Sequence, residues 1–140
     1  MVYLDYNATT PVDSKVIDAM MPLFAEGFGN PSSSHGSGRL AAQVVEEARK
    51  KVADAVGMSA SDVVFTSGAT EANNLALTGL QKGLGRGINI LAGATEHKSI
   101  LQTCDNLSND GSEFSTIPVH PDGTIDIDSM ESIMDGCNDV

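Results

Sequence analysis

The chain has 140 residues, of which 41% are hydrophobic and 4% aromatic, with no Trp and a formal net charge of −11. That is enough chain for one ordinary domain with a core of aliphatic and Ala packing, and the acidic balance argues against nucleic acid or an anionic membrane as partner. The sequence holds no apolar run of membrane-spanning length and no basic region followed by a signal core, so the expectation is a soluble, cytoplasmic protein with no membrane association.

Residues 2–4 read as a short extended segment and residues 7–11 as a turn. Asp13 is a good N-cap for a helix to about Glu26, with Val16, Met20 and Leu23/Phe24 along one face and Gly27 and Gly29 ending it. Residues 29–38 form a loop of Gly, Asn, Pro, Ser and His, and loops of that length without structure of their own are usually functional or disordered. From about residue 39 to 56, Leu40, Val44/Val45, Ala48, Val52 and Val56 fall on one stripe at helical spacing, and Gly57 follows as a stop. Residues 62–66 read as a strand and residues 69–84 as a helix carrying Leu75, Leu77, Leu80 and Leu84. Gly83-Leu-Gly-Arg-Gly87 superficially matches a dinucleotide loop, but it precedes a strand instead of following one, so it reads as a connector. Residues 88–91 make another strand, and Thr95 begins a helix to about Leu107. Asn109-Asp-Gly111 is a turn, residues 113–119 alternate as a strand, and Pro121-Asp-Gly123 is another turn. Asp126 or Asp128 then caps a short helix through Ile133/Met134. Strands and helices alternate from Val63 onward, which predicts an α/β fold with a mainly parallel sheet flanked by helices.

The stretch Phe65-Thr-Ser-Gly-Ala-Thr-Glu-Ala-Asn-Asn74 organises this pattern. A strand passing through a small-residue turn into a helix leaves backbone N–H groups free at one point, and the helix dipole adds partial positive charge there. Gly68 lets the chain approach a phosphate closely, and Thr70 offers a hydroxyl beside its own N–H. The alternative is an ordinary strand–helix connection in which Thr70 is a capping hydroxyl.

Three further stretches stand in register with it: Tyr3-Leu-Asp-Tyr-Asn-Ala-Thr-Thr-Pro11, Gly29-Asn-Pro-Ser-Ser-Ser-His35 and Ala94-Thr-Glu-His-Lys98. In this order and at these intervals the chain resembles the opening of a cysteine desulfurase of the NifS/IscS-like group, in the class V aminotransferase family. The resemblance runs from Tyr3 to about Asp128. It implies the pyridoxal 5′-phosphate (PLP)-dependent transferase fold type I, the aspartate-aminotransferase-like fold. Residues 1–38 would be the N-terminal arm, helix and active-site loop, with that loop as an active-site wall, whereas His35 by itself reads as a surface-loop histidine. Residues 39–140 would be the leading part of the large PLP-binding domain. The same resemblance puts Ala69 and Thr70 on the PLP phosphate and makes His97 the histidine that stacks on the pyridine ring and takes part in proton transfer. The family's cofactor-bearing lysine, its aspartate for the pyridine nitrogen and its sulfur-accepting loop cysteine have no counterpart here. The expectation is therefore an N-terminal piece, inactive alone, that needs a chain or segment carrying the C-terminal part. Its substrate would be L-cysteine, its assembly dimeric, and its partner a sulfur-acceptor or iron–sulfur scaffold protein.

A selenocysteine lyase or a small aminotransferase would share this fold, although Thr-Glu-His-Lys together with the Asn-Pro-Ser-Ser-Ser-His loop favours the desulfurase. A non-catalytic truncated or binding subunit is the other alternative, acting through an acidic tail: nine Asp or Glu follow Lys98 and no Lys or Arg does. Cys104 and Cys137 show no Cys-x-x-Cys and no paired His spacing, so neither a disulfide framework nor a metal site is expected. Cys104 reads as a small core or boundary residue and Cys137 as an exposed part of the tail, and neither matches the family's sulfur-accepting position.

Overall fold

The structure, a computed structural model, describes residues 2–137. The chain divides into two compact units, Met1–Phe65 and Thr66–Val140. The last residue of the acidic run, Asp139, lies outside the described residues.

The first unit is helical. Helix α1 (Ser14–Ala25) begins where Asp13 Oδ1 accepts the Lys15 N–H at 2.8 Å, as its sequence position predicts. It stops just beyond Pro22, whose carbonyl takes the amides of Glu26 and Gly27. Helix α2 (Gly36–Val56) closes at Gly57, which adopts the left-handed conformation (φ +69°) that the stop signal requires. It begins three residues earlier than its apolar stripe predicts. The His35 ring Nδ1 accepts the Gly38 N–H at 3.3 Å and nucleates the helix inside the polar loop. Gly38 must be glycine there, because a Cβ would run into the carbonyls of Ser33 and Asn30. The buried positions of α2 are the small residues Gly38, Ala41 and Ala53, whereas Leu40, Val52 and Val56 are exposed.

The strand expected at residues 62–66 does not form. A short 3₁₀ turn covers Ala60–Asp62, and Val63 then runs extended (φ −95°, ψ 124°) with no ladder partner among the described residues. A β-branched run encodes extended backbone, but a strand also needs a second strand to receive its N–H and C=O groups. Instead the Arg49 guanidinium donates to the Val63 carbonyl and lies 5.1 Å from the centroid of the Phe65 ring.

The second unit is α/β. It runs α3 (Ala69–Leu84), β1 (Asn89–Gly93), α4 (Lys98–Asn109), β2 (Glu113–Ile117) and α5 (Ile127–Asp135). Strands β1 and β2 pair in parallel, from Asn89↔Glu113 to Gly93↔Ile117, with α4 as the crossover. Ile90, Cys104 and Leu107 form the buried cluster, and Leu77, Ile88, Ile100 and Phe114 pack against it. Each fully buried aliphatic side chain of this kind contributes about 1.5–3 kcal/mol. The connector after α3 is pinned as well: a Cβ at Gly87 would collide with the Gly111 carbonyl, while the Ser112 hydroxyl accepts from Ile88 N–H and Gln81 Nε2, each at 3.1 Å. Strand β2 ends two residues short of the alternating pattern because Pro118 has no N–H for a ladder. A single antiparallel bridge, Val119↔Ile125, closes the following turn. Asp126 caps α5 by accepting the Ser129 N–H at 3.0 Å. Among the described residues no helix is long and apolar enough to cross a membrane.

Candidate functional site

The start of α3 is an organised turn. Ser67 donates both its amide and its hydroxyl to Glu71 Oε2, each at 2.7 Å, and Thr66 Oγ1 donates to the Gly68 carbonyl at 3.1 Å. The Ser67 hydroxyl, and after it the Ser67 amide, hold the Glu71 carboxyl below its ordinary range. The first intrahelical bond runs from Ala72 N–H to Gly68 O at 3.1 Å, so the amides of Ala69, Thr70 and Glu71 precede it. Such amides, at the positive end of a 16-residue helix, can bind an anion. Gly68 is extended, and a Cβ there would meet nothing within 4 Å. The chain's own packing therefore does not demand a glycine at this position.

The start of α4 is built differently. The helix begins at Lys98, three residues later than expected, because residues 94–95 turn off β1 and the His97 ring supplies the cap. Ala94 N–H reaches Ile117 O at 2.9 Å and Glu96 N–H reaches Gly93 O at 3.1 Å, which spends these amides on the turn. His97 Nδ1 accepts the Ser99 N–H at 3.1 Å and lies 2.9 Å from the Ser99 hydroxyl.

Thr70 and His97 meet in the wall of one cleft of about 300 Å³, together with Asn74, Lys98, Ser99 and Thr103. Ala69 is exposed and lies beside this wall in sequence without forming part of it. His35 lies in the first unit, as the cap of α2. Sequence reasoning missed Asn73 and Ser99, which meet across the two helices with Asn73 Nδ2 donating to Ser99 Oγ at 2.9 Å. No local pattern pairs residues 26 apart, and only the packing of α3 against α4 brings them together. Among the described residues no group of three or more His, Cys, Asp or Glu could hold a metal ion. Cys104 is fully buried, and burial first, with Asp105 adding to it, pushes its thiol up. A thiol in that state is a poor nucleophile. Cys137 is half-buried.

Residues 2–140 match the aminotransferase class-V family. The chain belongs to that family. Its relatives include a cysteine desulfurase of Frankia sp. (strain EuIK1), 48% identical over 93% of this chain and 33% of the relative. Another is the cysteine desulfurase IscS of Rickettsia felis, 44% identical over 94% of this chain and 32% of the relative. Among solved structures, a NifS-like protein superposes with a TM-score of 0.84 at 36% identity, covering 94% of this chain and 36% of that one. The protein SspA, solved in complex with cysteine, gives a TM-score of 0.74 at 37% identity over 84% of this chain and 34% of that one. The chain thus takes the fold of the leading part of these class-V proteins, and it spans about a third of the length of the curated relatives it matches.

Class-V aminotransferases and cysteine desulfurases are PLP enzymes in general. The donor set at the start of α3 suits a phosphate: backbone amides at a helix N-terminus, the hydroxyl of the exposed Thr70, and Lys98 among the residues of the same cleft wall. The Glu71 carboxylate, which would repel a phosphate, is occupied by Ser67.

Proposed function

We propose that this chain forms the phosphate- and ring-binding side of the PLP site in a cysteine desulfurase. The observation that carries the reading is the common cleft of Thr70 and His97, reached from two family motifs that lie far apart in sequence. In this reading the amides of Ala69 and Thr70 and the Thr70 hydroxyl hold the phosphate, and Lys98 adds favourable charge. His97 covers the ring and holds or moves a proton at an imidazole nitrogen. The bound cofactor would supply an electron sink for cleavage of the carbon–sulfur bond of L-cysteine. The overall change is L-cysteine plus an enzyme thiol giving L-alanine plus an enzyme persulfide. The buried Cys104 is unsuited to be that thiol.

The rest of the reading follows from the same resemblance. Residues 1–38 serve as arm, helix and active-site loop, and residues 39–140 as the leading part of the cofactor domain. The lysine, aspartate and acceptor cysteine come from polypeptide matching the other two thirds of the relatives. The assembly is dimeric and cytoplasmic, and it hands sulfur to an acceptor or iron–sulfur scaffold protein.

The test uses the chain together with that remaining length, loaded with PLP. It is offered L-cysteine, selenocysteine and amino-acid/keto-acid pairs in turn. The expected result is alanine from L-cysteine, with persulfide on the protein. Transamination alone, or turnover confined to selenocysteine, would contradict the proposal.

A further inference from the structure

Ser99 is a polar residue only 8% exposed, and its three polar groups are all in use. Its amide donates to His97 Nδ1 at 3.1 Å, its carbonyl accepts from Thr103 Oγ1 at 2.7 Å, and its hydroxyl lies between Asn73 Nδ2 and His97 Nδ1, at 2.9 Å from each. A backbone amide can only donate, so Nδ1 is an acceptor and the neutral ring carries its proton on Nε2. Asn73 Nδ2 also only donates, so the hydroxyl oxygen accepts from it and keeps its own proton for Nδ1. Asn73 sits one turn along α3 from Thr70, and Ser99 lies in the first turn of α4. One hydrogen-bonded chain therefore runs from the helix that begins at the anion turn to the imidazole in the cleft wall.

We propose that Ser99, with Asn73 behind it, is a positioning residue for His97: the pair locks the imidazole as its Nε2–H tautomer at the wall of the Thr70 cleft. Nε2 is then the ring nitrogen left to face a ligand. The lock rests on the reading of this cleft as the cofactor site for its catalytic consequence, but not for its existence. Its geometry also sets the order of importance. The Ser99 hydroxyl touches the ring directly, whereas Asn73 acts only by fixing that hydroxyl.

The experiment is imidazole ¹⁵N NMR on histidine-labelled protein, with and without PLP, with His97 assigned by its loss in His97→Gln. The expected wild-type signature at neutral pH is an unprotonated Nδ1 and a protonated Nε2. Ser99→Ala keeps the backbone amide on Nδ1 but removes the hydroxyl, so it should raise the share of the Nδ1–H tautomer and, in the enzyme completed by the remaining polypeptide, lower kcat by about 10- to 100-fold with KM little changed, the scale expected for a misplaced reacting group. Asn73→Ala, at a half-buried site on α3, should move both readouts the same way by less, and Ser99→Thr, which keeps the hydroxyl, should restore the tautomer. A wild-type ring protonated on Nδ1, or the Nε2–H signature unchanged in both alanine variants, would overturn the lock. If Ser99→Ala fails to fold, Asn73→Ala and the wild-type spectrum decide alone. Absence of alanine formation with the tautomer pattern intact would instead count against the desulfurase reading and leave the lock standing.

Discussion

His35 and His97 perform the same local task in different surroundings. Each caps a helix by turning Nδ1 onto a backbone amide, Gly38 N–H at 3.3 Å for α2 and Ser99 N–H at 3.1 Å for α4. Histidine is not a favoured N-cap, so each ring nitrogen stands where a Ser or Asp oxygen would be usual. Around His35 the neighbouring contacts stay within its own loop and the helix it caps, such as Ser33 N–H to Asn30 O at 2.9 Å, Ser32 N–H to Asn30 Oδ1 at 2.9 Å and the Arg39 guanidinium donating to the Ser34 carbonyl. Around His97 the capped residue itself is gripped from another helix, through Asn73, and the ring lines a cleft shared with Thr70. A cap orders a helix end. It becomes a candidate site when a second element fixes the capping atom beside a ligand-sized space.

Substituting the two rings should separate these cases. His97→Ala should lower kcat for alanine formation by about 10²- to 10⁴-fold while leaving PLP largely bound, as expected for loss of an acid–base group. His35→Ala should instead cost about 0.5–2 kcal/mol of stability, the range for a lost cap, seen as a lower thermal midpoint. An equal collapse of kcat in both variants would erase the distinction. Leu107→Ala removes a side chain from the cluster beneath α4 and should destabilise by about 2–5 kcal/mol in denaturant titration, because the cap at His97 has meaning only on a packed helix.

Acid should act on the start of α3 through Glu71. Its carboxyl is lowered in the folded state by the Ser67 hydroxyl and amide, so the stabilisation is complete above the ordinary carboxylate value. It begins to fade below about pH 4.3 and is lost as the pH falls through the lowered value. Hydrogen exchange at the Ser67 amide should follow that course, and Glu71→Gln should flatten it. The smallest effect on turnover belongs to the thiols. Cys104→Ser and Cys137→Ser should leave alanine formation from L-cysteine close to wild type, since neither is assigned as acceptor. A collapse in either, with PLP still bound, would place the acceptor inside this chain.

What could be read from the sequence follows the range of the interactions. The Asp13 cap, the Gly57 stop, the Asp126 cap and the span of α3 depend on residues within one turn of each other, and they formed where expected. Residues 62–66 carry an equally clear local signal, yet a strand needs a partner, and Val64 and Phe65 stay 64% and 48% exposed. The two helix starts at His35 and His97 were misplaced by three residues each, because an imidazole replaces the usual capping oxygen. For the site, the motifs pointed to Ala69, Thr70 and His97, and the fold brings the last two into one wall. The Asn73–Ser99 contact was invisible, since its energy depends on how α3 packs on α4 and on nothing within either helix alone.

If α3 begins at a phosphate site and His97 belongs to the same site, one cofactor must touch both. The most direct measurement is a crystal structure of the protein with PLP bound, alongside the polypeptide that completes it. The phosphate should accept hydrogen bonds from the Ala69 and Thr70 amides and the Thr70 hydroxyl, with the His97 imidazole against the cofactor ring. A phosphate held away from the start of α3, or a cofactor ring out of reach of His97, would contradict that arrangement.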